Sequence, residues 1–311
     1  MIGGIRRGVF GFFMVGLASA LTATASHPAG ACSLDPARHD GIFPENSLEI
    51  PESAFESYAV DRETFRQLID RLTEVYAPIF ASRGQTLKIY PMWKAGTVNA
   101  FAFRLRKLAQ VYAFGGLARY PNMTADAYTM VLCHEIGHHL GGVPKIEKLF
   151  GLVTMSNEGE ADYFASLKCA RAVWNHDDNA AIVRTLSVPE AVRSACGRSF
   201  DAAADVALCE RSAMAGKTLA EILASLGKTP APSFETPDLH IAKKTVMAHP
   251  PAQCRLDTYF AGAVCEKSKD IPLSDENSSV GACSQERGET VGVRPRCWYR
   301  PSTPGGIARA K

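Results

Sequence analysis

No C-x-x-C pair occurs anywhere in the 311 residues, although the chain carries nine cysteines. That absence argues against a structural zinc cluster, which draws its thiolates from closely spaced pairs. Net charge is nearly absent too, since 34 Lys+Arg against 32 Asp+Glu leave +2. Without the electrostatic footprint of a polyanion binder, no nucleic-acid partner is expected. The basic residues near the C-terminus (Arg294, Arg296, Arg300, Arg309 and Lys311) are scattered among Pro and Gly and read as a solvated tail. Beyond the N-terminus no stretch reaches the ~20 apolar residues that a bilayer requires, so no stable span is expected in the mature protein. No internal repeat is visible.

What is present begins with a secretion-type start. Arg6 and Arg7 precede an apolar run from Val9 to Leu21, and Ala23-Thr24-Ala25 supplies small residues for a signal peptidase. Residues 1–25 are therefore read as a signal peptide, which makes the product periplasmic or secreted. A retained anchor is the alternative, disfavoured by the shortness of the run. A lipid anchor at Cys32 is weaker still, because Cys32 lies well beyond the run and lacks the usual Leu. Many cysteines fit an oxidising compartment. Cys133 reads as a buried free thiol. Short separation favours the bridges Cys196–Cys209, Cys254–Cys265 and Cys283–Cys297, with Cys32 and Cys169 left paired or free.

Residues 26–60 are rich in Pro, Gly and polar side chains and read as an extended lead-in. Apolar spacing predicts a helix over Asp61–Phe80, with Asp61 as its N-cap. Alternating, β-rich stretches follow at Thr86–Trp93, Val98–Arg104 and Gln110–Ala118. The next helix starts at Thr124 and ends at Gly141-Gly142. A second spans Asn157–Trp174. Further helices are predicted at Pro189–Ala195, Ala202–Ala213, Leu219–Leu226, Leu239–Ala248 and Cys254–Cys265. The class is α+β: a mainly helical domain, 61–267, with a small sheet, then an irregular tail, 268–311, stapled by Cys283–Cys297.

The chemistry is concentrated in His134-Glu135-Ile136-Gly137-His138. Residues four apart share a helix face, so His134 and His138 have the bite to chelate one zinc ion. Glu135 cannot share that position easily, but it can reach a water on the metal as general base. Catalytic zinc needs a third protein ligand, and Glu158 opens the following helix. Asp162, one turn further, can accept a hydrogen bond from the outer nitrogen of a ligand His. Glu160 is read as complementing the helix dipole only. His139 points roughly 100° away around the helix and is read as a packing neighbour. His176 reads as part of a helix-end turn.

His134-Glu135-Ile136-Gly137-His138-His139 followed by Glu158-x-x-Ala161-Asp162 resembles the gluzincins, and within them the M48 family of endopeptidases. Val98-Asn99-Ala100-Phe101-Ala102, then Val111 and Gly116-Leu117, resembles the Asn-Ala strand and following edge strand that precede the zinc helix there. His249-Pro250-Pro251 with Arg255 is similar to the family's His-Pro segment. The resemblance covers Asp61 to Cys265 and leaves the tail outside. It implies a zincin-like fold and one Zn2+ held by His134, His138 and Glu158. Glu135 is then the catalytic base, and Asn99, Tyr112, His249 and Arg255 are substrate contacts. The implied reaction is hydrolysis of extended or unfolded protein substrates. The implied docking is strand addition to the presumed edge strand Gln110–Ala118. Two competing readings are a non-catalytic or latent chaperone-like zinc protein and a hydrolase of cell-wall amides. Glu135 argues against the first, and the strand and helix order against the second. A loop from the Pro-rich stretch Gly227–Pro237, or around His249, is a candidate cap over the zinc.

Overall fold

The computed structural model describes residues 1, 41–44, 46–54, 60–146 and 155–301. The signal-peptide reading, Cys32, Arg309 and Lys311 lie outside them. The described residues from 41 onward belong to the compact unit Asp35–Lys311.

Asp61 caps α1 (Arg62–Ser82) by accepting from the Thr64 N–H at 2.8 Å. Phe65, Ile69, Leu72, Tyr76 and Phe80 form its buried stripe, with the three- and four-residue steps of an amphipathic helix. The sheet follows: β1 (Thr86–Met92), β2 (Ala100–Leu105) and β3 (Leu108–Phe114). Arg106-Lys107 forms a two-residue hairpin between β2 and β3, with Arg106 at φ 53°. β1 pairs with β3 in parallel, so the strand order is β1-β3-β2. This corrects one expectation. The strand predicted at the edge is central, with both sides taken by its neighbours, and the outer strand beside it is β2. The strand also stops at Phe114, where Gly115–Ala118 turns into the short helix α2.

Two helices carry the motif, the first of them packed against the sheet. α3 (Ala125–Leu140) is capped by Thr124, whose hydroxyl accepts from Ala127 N–H at 3.1 Å. A small hairpin, β4 (Lys145–Ile146) and β5 (Met155–Ser156), leads to α4 (Glu158–Phe164). α4 runs on through a π-helical turn, Ala165–Cys169, into α5 (Ala170–Val173). α6 (Asn179–Val183), α7 (Glu190–Ser199), α8 (Ala203–Gly227) and α9 (Ala252–Val264) complete the helices. α8 is one helix where two were predicted, and Gly216 in its middle leaves room for Tyr259 of α9. Leu239–Ala248 is not helical. Its amides are committed elsewhere, Ala242 N–H to Arg296 O at 2.9 Å and Val246 N–H to Trp298 O at 2.8 Å. Among the described residues no helix is long and apolar enough to cross a membrane.

Four disulfides staple the unit: Cys133–Cys169, Cys196–Cys209, Cys254–Cys297 and Cys265–Cys283. Cys196–Cys209 is as predicted. Cys133 is not a free thiol, and the other two predicted pairs are wrong. Cys254 lies near one end of α9 and Cys265 just past the other, separated by roughly 16 Å of helix at about 1.5 Å per residue. A disulfide needs Cα atoms about 4.4–6.8 Å apart, so proximity in sequence misleads wherever a helix intervenes.

The C-terminal segment is irregular, but it packs on the motif helices. Arg294 is 2% exposed rather than solvated, and its guanidinium donates to both Glu160 oxygens, at 2.5 and 2.6 Å. Glu160 is therefore half of a buried ion pair, more than a dipole complement. Tyr163 donates its hydroxyl proton to Gly292 O at 2.6 Å.

Cys133–Cys169 joins α3 directly to the turn after α4, closing a sequence separation of 36 residues. Replacing both cysteines by alanine is expected to destabilise the chain by about 2–4 kcal/mol. Urea unfolding of the metal-free protein measures this, and an unchanged midpoint would show that packing alone holds the two helices.

Candidate metal centre

α3 and α4 cross closely. A Cβ on Gly137 would lie 2.8 Å from Ala161 O, so only glycine lets the backbones approach this far. That approach brings the side chains of both helices to one point. The His134 and His138 rings stand nearly perpendicular, with centroids 4.7 Å apart. Glu158 faces both: Oε2 is 3.3 Å from His134 Nε2, and Oε1 is 3.6 Å from His138 Nε2.

The outer ring nitrogens are fixed. His138 Nδ1 lies 2.8 Å from Ser156 O, an acceptor only, so Nδ1–H donates and Nε2 presents its lone pair to Glu158. His134 Nδ1 lies 2.7 Å from Asp162 Oδ1 and is held in the same sense. Asp162 is itself clamped by Arg255, whose Nε and Nη2 each donate to it at 2.7 Å, and by the Tyr259 hydroxyl at 2.5 Å. Carboxylate partners of this kind orient a ligand imidazole and raise its basicity.

Charge and burial conflict at the centre. Burial pushes the His138 ring down to about 4, leaving it neutral, as a ligand must be. Burial also opposes charge on His134, but Asp162 and Glu158 outweigh it and raise the ring to about 9. Burial works against the Glu158 carboxylate, yet His138, His134 and His249 together hold it well below the usual range. Burial drives Glu135 up to about 8; His134 and Arg255 oppose the shift and Glu158 adds to it.

His134 Nε2, Glu158 Oε2 and both Glu135 oxygens are buried without a hydrogen-bond partner. Orphaned polar atoms cost stability unless something satisfies them. The ligand atoms of His134, His138 and Glu158 all lie within 4.8 Å of one another. Two imidazoles and a carboxylate converging in this way fit a divalent cation, with zinc well matched.

Other expected residues divide. His249 Nε2 lies 3.3 Å from Glu158 Oε2, and Asn99 immediately precedes β2, its side chain paired with the backbone of Phe43. Tyr112 is not brought in. It is on the central strand, stacked between Tyr90 and Phe101 with centroids 4.6 Å away on both sides. His139 is turned away from the group and packs under β3, its Nε2–H donating to Gln110 O at 3.1 Å and its Nδ1 accepting from Arg104 Nε at 3.3 Å. Two functional groups escaped the sequence reading. The Ser156 carbonyl carries no side-chain signal. Tyr259 is one turn after Arg255 on α9, and that spacing would have placed both on one face.

The comparisons with known proteins agree with this geometry. The model for "Peptidase family M48" matches residues 62–259. No curated protein and no solved structure matches the chain.

Proposed function

Because the chain belongs to peptidase family M48, we propose that it is a zinc-dependent endopeptidase cutting extended or unfolded proteins in the cell envelope. One observation carries the reading. Glu135 places two buried, unpartnered carboxylate oxygens beside the His134–His138–Glu158 group. A buried carboxylate with no structural partner costs stability, and catalysis is the physical reason to keep one.

His134, His138 and Glu158 are the residues that would hold the ion. When bound, zinc supplies Lewis-acid polarisation of a carbonyl and a water of lowered pKa. Glu135 takes a proton from the attacking water and returns it to the leaving amine. His249 Nε2 is positioned to donate to the carbonyl oxygen. Asp162 and Arg255 hold His134 in register, and Asn99 at the head of β2 offers an amide to a peptide backbone. The M48 match supports peptide as the substrate class. The envelope location is supported by the signal-like N-terminus and by the four disulfides, which persist in oxidising compartments.

The purified chain is expected to bind one zinc per molecule and to digest casein. A chelator should abolish the activity, and added zinc should restore it. A stoichiometric zinc protein that leaves casein intact, before and after N-terminal processing, would overturn the endopeptidase reading.

A further inference from the structure

A segment of the chain itself lies beside the metal centre, joined to it through His249 and Arg255. Gly41, Ile42 and Phe43, part of the stretch read as a lead-in, run along the outer edge of β2, with Ile42 and Phe43 buried. The Ile42 N–H donates to Ala100 O at 3.0 Å. The Phe43 N–H donates to Asn99 Oδ1 at 3.2 Å, and Asn99 Nδ2 donates back to Phe43 O at 3.2 Å. Arg255 Nη1 donates to Ile42 O at 2.6 Å. His249 Nε2 donates to Gly41 O at 2.6 Å. Every hydrogen bond is to the segment's backbone, as when a sheet edge holds an extended peptide, while the Ile42 and Phe43 side chains join the hydrophobic core.

The contacts converge on one peptide bond. The Gly41 carbonyl oxygen meets a donor that itself borders the ligand Glu158. On the other side of the bond, the Ile42 N–H is held by Ala100 O of β2. The residue type fits as well: a Cβ on Gly41 would fall 1.8 Å from Ala100 O, so no other residue seats there.

We propose that the Gly41–Ile42 bond is a substrate of the chain's own site, cut in cis. This rests on the peptidase reading above. A water oxygen bonds to the Gly41 carbonyl carbon and the bond to the Ile42 nitrogen breaks. The proton that Glu135 takes from the water goes to the leaving Ile42 amine. One water is consumed, and the products are a Gly41 carboxylate and an Ile42 amine. Before the cut, the outer edge of β2 is occupied and closed to other peptides. After it, the strap has a free end and can peel away from β2.

The test follows the N-terminus and casein digestion together, in full-length zinc-loaded protein. Intact mass and N-terminal sequencing should show wild type converting to a chain that begins at Ile42, at a rate independent of protein concentration. Glu135→Gln and Gly41→Val should convert at less than one-tenth of that rate. Gly41→Val, whose strap cannot seat, should digest casein without a lag. A readout without metal accompanies these. In metal-free Glu135→Gln protein the Ile42 and Phe43 amides should exchange hydrogen slowly, and adding Gly41→Val should speed them at least tenfold. Wild type that digests casein with the Gly41–Ile42 bond intact overturns the inference and leaves the peptidase reading standing. So does fast exchange at those amides in the metal-free Glu135→Gln protein. Zinc-loaded protein that cuts neither bond nor casein overturns both.

Discussion

Glu135→Gln is expected to lower casein hydrolysis by about 10²–10⁴-fold, the contribution typical of a positioned general base. The amide has nearly the same shape and cannot accept the water's proton. The proposed ligand atoms belong to His134, His138 and Glu158, so bound zinc should be unchanged by metal analysis. Folding should not suffer. Glu135 is fully buried with no partner for either oxygen, so its carboxylate contributes nothing to packing that an amide would lose. The variant should unfold in urea at or above the wild-type midpoint. Full hydrolytic activity in Glu135→Gln would remove the residue from the mechanism.

The second large effect lies away from the chemistry. Arg294→Met should destabilise the protein by about 3–5 kcal/mol, because it strands Glu160 as an uncompensated buried charge. Arg294 donates to both Glu160 oxygens and to Ser278 O at 2.8 Å, and its guanidinium lies over the Tyr163 and Tyr299 rings at 4.9 and 5.3 Å. Adding Glu160→Leu to the variant should recover most of the loss, since a buried ion pair exchanged for apolar side chains is often near neutral. Urea unfolding of the two variants separates these effects. A single-variant loss below about 1 kcal/mol would mean that Glu160 finds another partner or is already protonated.

The local patterns were legible, and for one reason. His134, Glu135, His138, Glu158 and Asp162 are read from spacing along helices, where position in sequence fixes direction in space. Asp61 and Thr124 cap α1 and α3 as their residue types suggest. Apart from local misreadings such as the helix predicted at Leu239–Ala248 and the split of α8, the failures are long-range. Strand order depended on β1 pairing in parallel with β3 across the hairpin, which no window of sequence contains. Cys254 and Cys265 are close in sequence, but α9 holds them about 16 Å apart. Glu160 and Arg294 are 134 residues apart, and neither looks unusual alone. The lead-in is the widest case: Arg255 reaches Ile42 across 213 residues, and nothing polar or periodic marks Gly41-Ile42-Phe43 as a ligand of the site.

The packing of the C-terminal segment on α4 also sets an order of assembly. Arg294 closes over Glu160, Trp298 covers Gly159, and Cys297 locks to Cys254. These residues leave the ribosome long after His134 and Glu158. The chain therefore carries His134, His138 and Glu158 through synthesis with the supporting wall still missing. The group they form is walled in only when nearly the whole polypeptide has been made, so the proposed activity would arise late in synthesis.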